Sequence, residues 1–316
     1  MTNFENQLYK FGIVPVIKVD DVSDAKPLAQ ALCEGGLPVA EVTFRTDCAK
    51  EVIKIMSDSF PQMLVGAGTV LTTQQVDDAL EAGAQFIVSP GLNEKVVRYC
   101  QEKGVPILPG CATPSEMEKA IELGLETVKF FPAEANGGLN SIKAMSAPYS
   151  GLKFMPTGGI NLNNMNDYLA FDKIIACGGT WMVNDDLIKN KKWDDVTLLT
   201  KQTVQAMLDI KLHHVGMGVS DDKGEQLAEL MNRPMITNLP NSRFVSGIEF
   251  MYDINAGTLH HLCLSTKNVE RAMFVLESLG YSFDRDTVRL NSKGKIEFIY
   301  FDQLISGCKC HLRLEV

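Results

Sequence analysis

The sequence predicts an α/β protein in which a (β/α)₈ TIM barrel is followed by a second, smaller α+β domain. Between residues 12 and 180, short β-branched apolar runs alternate with amphipathic stretches of about ten residues, as strands alternate with helices. Eight such runs are present, the number of strands that closes this kind of barrel. Beyond residue 212 the alternation stops and an eight-residue motif with two histidines occurs twice, which indicates an internal repeat.

The predicted strands of the barrel are nearly continuous apolar runs, as in a parallel sheet that helices cover on its outer face. They span residues 12–18, 39–45, 63–69, 86–90, 106–110, 127–131, 152–157 and 173–177. An open doubly wound sheet is the alternative. No Gly-x-Gly-x-x-Gly follows the first run, where a dinucleotide site would need it, so the closed barrel is favoured.

The helices between these strands are predicted from their capping residues. Side chains that can accept backbone N–H bonds precede each amphipathic stretch, and glycines follow most of them. The caps Ser23–Asp24, Thr72–Thr73, Asn93 and Thr113 precede helices predicted over 25–34, 74–82, 94–103 and 115–123. Because strand ends meet at one edge of a barrel, chemistry is expected at the carboxyl ends of the strands.

Composition excludes several classes of function. The 316 residues hold 30 basic and 39 acidic side chains, a net charge of −9, so a nucleic-acid partner is not expected. No apolar run has the length of a membrane span, and no secretory signal is visible at the N-terminus, so we expect no membrane partner. The eight cysteines lie in no metal or redox motif. They are expected to be reduced thiols in a cytoplasmic protein.

The C-terminal third has a different character. The words LHHVGMGV from residue 212 and LHHLCLST from residue 259 are similar and lie 47 residues apart. Each is expected to be a strand that a helix and further strand-like material follow, so we predict two βαβ-type modules. The predicted helices span 221–231 and 268–279, and the later strands 244–252 and 296–301. We assign residues 1–195 to the barrel, 196–211 to a linker helix and 212–316 to the α+β domain.

Two charged residues of the barrel suggest chemistry. Lys129 ends a strand between Val128 and Phe130, where partial desolvation favours the neutral amine, a nucleophile towards carbonyl groups. The alternative is a lysine that extends from the barrel rim. Glu41 lies two and four residues before Thr43 and Arg45, on the same face of its strand. A carboxylate inside an apolar barrel needs a partner or a role, and a structural Glu41–Arg45 pair is the alternative.

Glycine pairs follow the last two predicted strands. They are Gly158–Gly159 after Thr157, and Gly178–Gly179 before Thr180. In these barrels the loops after strands seven and eight commonly bind phosphate, because bare backbone N–H groups can approach the anion there. The two pairs together therefore predict a site for phosphate or a similar oxyanion.

Six motifs, in order and spacing, resemble the 2-keto-3-deoxy-6-phosphogluconate (KDPG) / 4-hydroxy-2-oxoglutarate (KHG) aldolases over about residues 5–190. They are VPVI from residue 14, EVTFRT from 41, VGAGTV from 65, VSPG from 88, VKFFPAE from 128 and PTGGI from 156. The resemblance implies a class I aldolase that uses a covalent lysine Schiff base and no cofactor. Its substrates would be small 2-keto acids, KDPG or KHG, and the protein would be a homo-oligomer, with a trimer expected.

The same resemblance assigns residue roles. Lys129 would form the Schiff base and Glu41 would be the general acid/base. Residues that bind the substrate would be Arg45, Thr69, Pro90 and Phe131 near its carboxylate and the Schiff base, and Thr157, Gly158, Gly159, Gly178, Gly179 and Thr180 at its phosphate. Two other classes remain open: another phosphate-binding barrel, an isomerase or synthase in which Lys129 acts as an acid, and a non-catalytic sensor whose C-terminal domain binds the ligand.

The two histidine-containing motifs of the C-terminal third resemble the opening strands of the two modules in the glyoxalase, or vicinal oxygen chelate, superfamily. The resemblance implies a possible divalent metal, because histidine and glutamate from each module bind one in active members. The corresponding residues here would be His214, Glu249, His261 and Glu315. Imidazole and carboxylate ligands suit Zn, Ni, Co, Mn or Fe ions. The alternative is a metal-free domain that dimerises or covers the barrel.

Overall fold

The structure is a computed structural model that describes residues 2–219, 223–239, 242–252 and 259–315. The chain divides into two compact units, Met1–Met207 and Leu208–Val316. Within the described part of the chain, no helix combines the length and the apolar composition that crossing a membrane requires.

The first unit is built on eight parallel strands. They are β1 (Ile13–Ile17), β2 (Val39–Thr43), β3 (Leu64–Gly68), β4 (Phe86–Ser89), β5 (Ile107–Cys111), β6 (Thr127–Phe130), β7 (Lys153–Pro156) and β8 (Cys177–Gly179). Neighbouring strands pair in chain order, and β8 pairs with β1. Isolated bridges from Thr157 to Gly178 and from Phe154 to Ile174 close the ring between β7 and β8. The predicted parallel barrel is confirmed.

The last strand begins later than the sequence suggests. The run predicted over 173–177 starts in a turn, and only Ile174 of its first residues forms a bridge. Regular pairing begins at Cys177, which lies opposite Ile13 of β1. Ile174 and Ile175 are nevertheless buried. An apolar run therefore predicted burial correctly here but not the residue at which the strand begins.

Ten helices accompany the barrel. They are α1 (Asn3–Phe11), α2 (Ala25–Glu34), α3 (Ala49–Ser59), α4 (Thr73–Glu81), α5 (Glu94–Lys103), α6 (Pro114–Glu122), α7 (Gly138–Ser146), α8 (Met165–Leu169), α9 (Asp185–Lys189) and α10 (Trp193–Leu208). Capping boxes start α4 at Thr72 and α6 at Thr113, and Asn93 accepts the N–H of Lys95 at the start of α5. Asp24, in contrast, makes no side-chain cap bond at α2.

The helix that we assigned to a linker over 196–211 lies against the barrel. It spans Trp193–Leu208, and all but its last residue belong to the first unit. Thr197 donates to the carbonyl of Ala31 on α2, and Thr203 accepts from the indole of Trp181. The valines and threonines on one side of this helix are buried. Packing of that face therefore makes α10 part of the barrel rather than a free connection.

The second unit is a single eight-stranded sheet with two helices among the described residues. Its elements are β9 (Lys211–Val219), α11 (Lys223–Leu230), β10 (Ile236–Leu239), β11 (Ser242–Val245), β12 (Ile248–Tyr252), β13 (Leu259–Thr266), α12 (Val269–Ser278), β14 (Phe283–Leu290), β15 (Ile296–Phe301) and β16 (Lys309–Leu314). The order across the sheet is β10-β11-β12-β9-β13-β16-β15-β14. Each repeat is thus a strand, a helix and three strands, which is more than the two strands of the βαβ-type modules that we predicted.

The two similar motifs, LHHVGMGV and LHHLCLST, lie at the centre of this sheet. They form β9 and β13, which pair antiparallel to each other, while each pairs in parallel with the last strand of its own repeat. The arrangement makes four neighbouring strands, β12, β9, β13 and β16, two from each repeat. Helix α12 packs on β15 and β16. Because side chains alternate along a strand, His311 and Arg313 of β16 face away from the buried Cys310 and Leu312.

Prediction for the barrel core: Gly66→Ala should destabilise the protein. An added Cβ on Gly66 of β3 would lie 2.3 Å from Cζ of the buried Phe86 ring, so the core would have to shift. Overpacking of this kind typically costs about 1–3 kcal/mol of unfolding free energy. Urea denaturation measures the change. Gly151→Ala is the matched control because its added Cβ would meet no atom within 4 Å, and an equal loss in both variants would contradict the packing argument.

Candidate functional site

A cavity opens where the barrel strands end. Its volume is about 280 Å³, and all twelve barrel residues that we singled out from the sequence line it. Those residues come from β2, β6 and β8 and from the loops that follow several strands, which is where parallel barrels carry their chemistry. Sequence reasoning missed three further lining residues, Val16, Thr43 and Ile160. Thr43 could have been found, because it shares a strand face with Glu41 and Arg45.

The centre of this cavity is a buried ion pair between Lys129 and Glu41. Lys129 Nζ lies 3.0 Å from Glu41 Oε1 and 3.4 Å from Oε2, and the two side chains are 7% and 1% exposed. Lys129 therefore does not extend from the rim. Gly68 of β3 makes room for the carboxylate, because a Cβ there would lie 2.4 Å from Glu41 Oε1. The Phe131 ring centre lies 5.3 Å from the ammonium.

Arg45 has a different partner from the one that a structural Glu41–Arg45 pair would require. Its Nε donates to Thr43 Oγ1 at 3.2 Å, and the Thr43 hydroxyl donates to the carbonyl of Ile17 at 2.9 Å. Within the described part of the chain, no carboxylate lies within 4.0 Å of the guanidinium. The remaining N–H groups of Arg45 can therefore bind a carboxylate that enters the cavity.

The glycine turns form the opposite wall. Gly158 and Gly159 have φ angles of 99° and 84°, which residues with a Cβ rarely adopt. A Cβ on Gly178 would lie 2.3 Å from Thr157 Oγ1, so the two strand ends can approach only because glycine is there. The hydroxyl of Thr157 is buried and has no hydrogen-bond partner among the described residues. Such an orphan donor beside bare backbone suits an oxyanion ligand.

The second unit holds a separate cluster of polar side chains. His214 of β9 and His261 of β13 bring their Nε2 atoms to 3.0 Å, and Glu249 Oε2 of β12 lies 3.1 Å and 3.2 Å from those two nitrogens. His311 of β16 completes the cluster, since one ligand atom from each of the three histidines lies within 4.8 Å of the others. All four side chains are buried or nearly so.

Glu315, which we placed in this set from the sequence, does not share the cluster. It lines the same cavity, but its Oε2 lies 2.7 Å from the ammonium of Lys267. His311, four residues earlier, occupies the place that Glu315 was expected to take. Both residues lie on the same face of the chain, so alternation alone could not choose between them. The sequence signal that could have identified His311 is the histidine of the motif CKCH, residues 308–311.

The protonation of the cluster suits a cation. Burial, together with the neighbouring His261 and His214, lowers the pKa of His311 to about 3, so its imidazole is neutral at pH 7. Its Nδ1 is buried without a hydrogen-bond partner among the described residues. Burial acts to raise the pKa of Glu249, but hydrogen bonds from His214, His261 and Ser242 hold it well below its usual range. Three imidazoles and one carboxylate are a fitting set of ligands for a divalent transition metal.

A protein-family model and curated relatives both match the first unit. The model, described as "Aldolase: KDPG and KHG aldolase", matches residues 4–199. A 2-dehydro-3-deoxy-phosphogluconate aldolase of Haemophilus influenzae is 48% identical over 198 residues, which are 63% of this chain and 93% of the relative. A KHG/KDPG aldolase of Escherichia coli K12 is 43% identical over 204 residues, 65% of this chain and 96% of the relative.

Solved structures give the same result. A KDPG aldolase of Legionella pneumophila, with pyruvate captured as a covalent carbinolamine intermediate, is 38% identical with a TM-score of 0.61. The match covers 63% of this chain and 97% of that one. A 2-keto-3-deoxy-6-phosphogluconate aldolase of Zymomonas mobilis ZM4, with 3-phosphoglycerate, is 39% identical with a TM-score of 0.60 and covers 64% of this chain and 96% of that one.

Proposed function

The chain belongs to the KDPG and KHG aldolase family, and from this membership we propose which of its residues perform the reaction. It is a class I aldolase, a lyase that cleaves 2-keto-3-deoxy-6-phosphogluconate into pyruvate and glyceraldehyde 3-phosphate. The observation that carries the proposal is the buried pair at the barrel centre, where Lys129 Nζ lies 3.0 Å from Glu41 Oε1. An amine and a carboxylate in contact are the two groups that this chemistry needs.

Lys129 is the proposed nucleophile. Its neutral amine adds to the C2 carbonyl carbon, the oxygen takes a proton, and loss of water from this carbinolamine leaves an iminium ion. The positive nitrogen then accepts the electrons of the C3–C4 bond when that bond breaks, so that an enamine of pyruvate forms. Protonation of the enamine at C3 and hydrolysis release pyruvate and the free amine. The carbinolamine in the structure of the Legionella relative supports this role.

Glu41 is the proposed proton carrier. Its carboxylate is close enough to Lys129 to take the proton that the amine must lose and to return it to the departing water. In the cleavage step the same carboxylate accepts the proton of the C4 hydroxyl, so the aldehyde can leave as a neutral carbonyl compound. Apolar strands and Gly68 hold it in place, and no metal takes part in this mechanism.

The remaining lining residues are proposed to orient the substrate. Arg45 would bind the carboxylate with the N–H groups that Thr43 leaves available, while Thr69, Pro90 and Phe131 border the reacting carbons. The phosphate would lie at the two glycine turns, where the hydroxyls of Thr157 and Thr180 can donate to it. The 3-phosphoglycerate in the structure of the Zymomonas relative fits a phosphorylated substrate. We also propose cleavage of 4-hydroxy-2-oxoglutarate into pyruvate and glyoxylate, as the name of the E. coli relative suggests.

Prediction for the nucleophile: incubation with pyruvate and sodium borohydride should reduce the iminium to a stable adduct on Lys129. Peptide mass spectrometry locates it, and Lys129→Ala should abolish it because no other amine lies beside Glu41 in the cavity that the structure describes. Lys153→Ala, at the start of β7, is the control that should keep the adduct. A folded wild-type protein that turns over substrate without an adduct would favour the alternative of an acid role for Lys129, and neither adduct nor turnover would favour a non-catalytic sensor.

Prediction for the proton carrier: Glu41→Gln should lower kcat by about 10²–10⁴, the usual contribution of a positioned acid or base. The amide keeps the shape of the side chain but cannot exchange a proton, so KM should change much less than kcat. Steady-state release of pyruvate measures both constants. Glu94→Gln, at the start of α5 and outside the cavity, should behave as wild type, and an unchanged kcat in Glu41→Gln would assign proton transfer to another group.

For the second unit we propose a glyoxalase-like domain that binds a divalent transition metal through His214, Glu249, His261 and His311. Support comes from the contacts among these side chains and from the orphaned Nδ1 of His311. When bound, such an ion supplies Lewis-acid chemistry. The four residues would hold it, and the aromatic rings around them would limit access of water.

Prediction for the metal: dialysis against Zn²⁺ or Co²⁺, followed by elemental analysis, should find one equivalent per chain that His311→Ala loses or binds far more weakly. His311 would supply one of the four protein ligands, so its loss should weaken binding at least tenfold. His260→Ala, which removes the histidine next to His261 in the sequence, is the control. No uptake by the wild-type protein would favour a metal-free domain that dimerises or covers the barrel. The homotrimer implied by the family stays a prediction.

A further inference from the structure

We propose that the cavity beside the histidine cluster of the second unit binds a small aromatic carboxylate, whose anionic group pairs with Arg289 and Arg313. The proposal rests on the metal site proposed above, because an oxygen of the ligand would reach the ion. It adds a second small-molecule site to a chain whose aldolase chemistry occupies the barrel.

The cavity has the size and walls of a small-molecule site. Its volume is about 590 Å³, roughly twice that of the barrel cavity, and it lies within the usual range of about 300–1,000 Å³ for ligand pockets. The histidine cluster forms one part of the wall. Phe244, Phe298 and Tyr300 form another, and their rings offer flat apolar surfaces to a bound ring.

Two arginines line the same cavity without a carboxylate partner. Neither Arg289 nor Arg313 has a carboxylate within 4.0 Å among the described residues, whereas Arg285 on the same strand as Arg289 is paired with Glu277. The carbon at the centre of the Arg289 guanidinium lies 4.7 Å from the centre of the Phe298 ring. That ring in turn lies 4.5 Å from the ring of His311, so Arg289 is one aromatic ring away from the cluster.

Arg313 approaches the cluster along its own strand. It follows His311 by two residues on β16, so the two side chains lie on the same face of the sheet. Both arginines therefore present planar N–H groups to the space in front of the cluster. A carboxylate is the group that such a fork binds best, because two parallel hydrogen bonds can form.

The charge of the cavity favours the same ligand class. Its carboxylates are Glu249, Glu297 and Glu315, and Lys267 neutralises Glu315 from 2.7 Å away. A divalent ion at the cluster, together with two arginines, outweighs the two remaining carboxylates. The filled site would be cationic, and a neutral ligand would leave that charge unbalanced in a half-enclosed space. An anion with a flat apolar body meets both the charge and the aromatic walls.

The test compares salicylate with salicylamide, which has the same ring and hydroxyl but no charge. The 316-residue chain is loaded with Co²⁺, and visible absorption of the ion reports only ligands that reach it, so binding in the barrel does not interfere. We expect salicylate to change the spectrum and salicylamide to bind at least tenfold more weakly. Arg289→Gln and Arg313→Gln should each weaken salicylate binding roughly tenfold to a hundredfold, the value of a charge-assisted hydrogen bond, and keep Co²⁺ affinity. Arg285→Gln should change neither.

The outcomes separate the anion site from the metal site. Equal affinities for salicylate and salicylamide, or unchanged affinity in both arginine variants, would overturn the anion site while the Co²⁺ spectrum still reported a metal. Failure to take up Co²⁺ would overturn the metal site. Calorimetric titration of the metal-free protein with salicylate then tests whether Arg289 and Arg313 bind the anion without a metal. A heat of binding that is present in wild type and absent in both Arg→Gln variants supports the anion site. No binding in wild type overturns it.

Discussion

A carboxylate and an ammonium buried together at the centre of an apolar barrel are the constraint on which the first unit depends. Removing two charges from water costs several kcal/mol per ion, and a hydrophobic pair of similar volume would cost less. The rest of the barrel must therefore supply enough packing to hold them. Eight strands with almost wholly buried side chains do so, and Gly68 keeps the space that the Glu41 carboxylate needs. Stability alone therefore gives no reason for a charged pair at this position.

The second unit follows the same physical logic with different groups. Two repeats place their opening strands side by side, so residues that lie 47 positions apart in the chain bring their imidazoles into contact. Packing on the helix-covered face holds the sheet, which leaves the opposite face available for polar side chains. A histidine buried without a partner is costly on that face unless something binds it. In both units, stable apolar layers support a few polar groups that are poorly satisfied by the protein itself.

Much of the barrel could be predicted from the sequence because its strands are continuous apolar runs and its helices have clear caps. Lys129, Glu41 and the glycine pairs followed from the positions of those runs, whereas Thr69, Pro90 and Phe131 came only from the family resemblance. The second unit was harder to predict. Strand β14, with the sequence FDRDTVRL, is largely exposed and polar, and β10 and β11 are four residues each, so no periodicity marks them. His311 was missed because strand alternation allows it and Glu315 equally, while packing places His311 in the cluster and Glu315 beside Lys267.

The seam of the barrel has a consequence for how its ligand acts on the fold. Between β7 and β8 the ring closes through isolated bridges, one of which joins Thr157 to Gly178, whereas the other neighbouring strands share regular ladders. The two glycine turns lie on either side of this seam. A phosphate bound by both turns would link β7 and β8 at the place where only isolated bridges join them. Binding energy would then also resist opening of the ring, so the loaded barrel would unfold and be digested by proteases more slowly than the empty one.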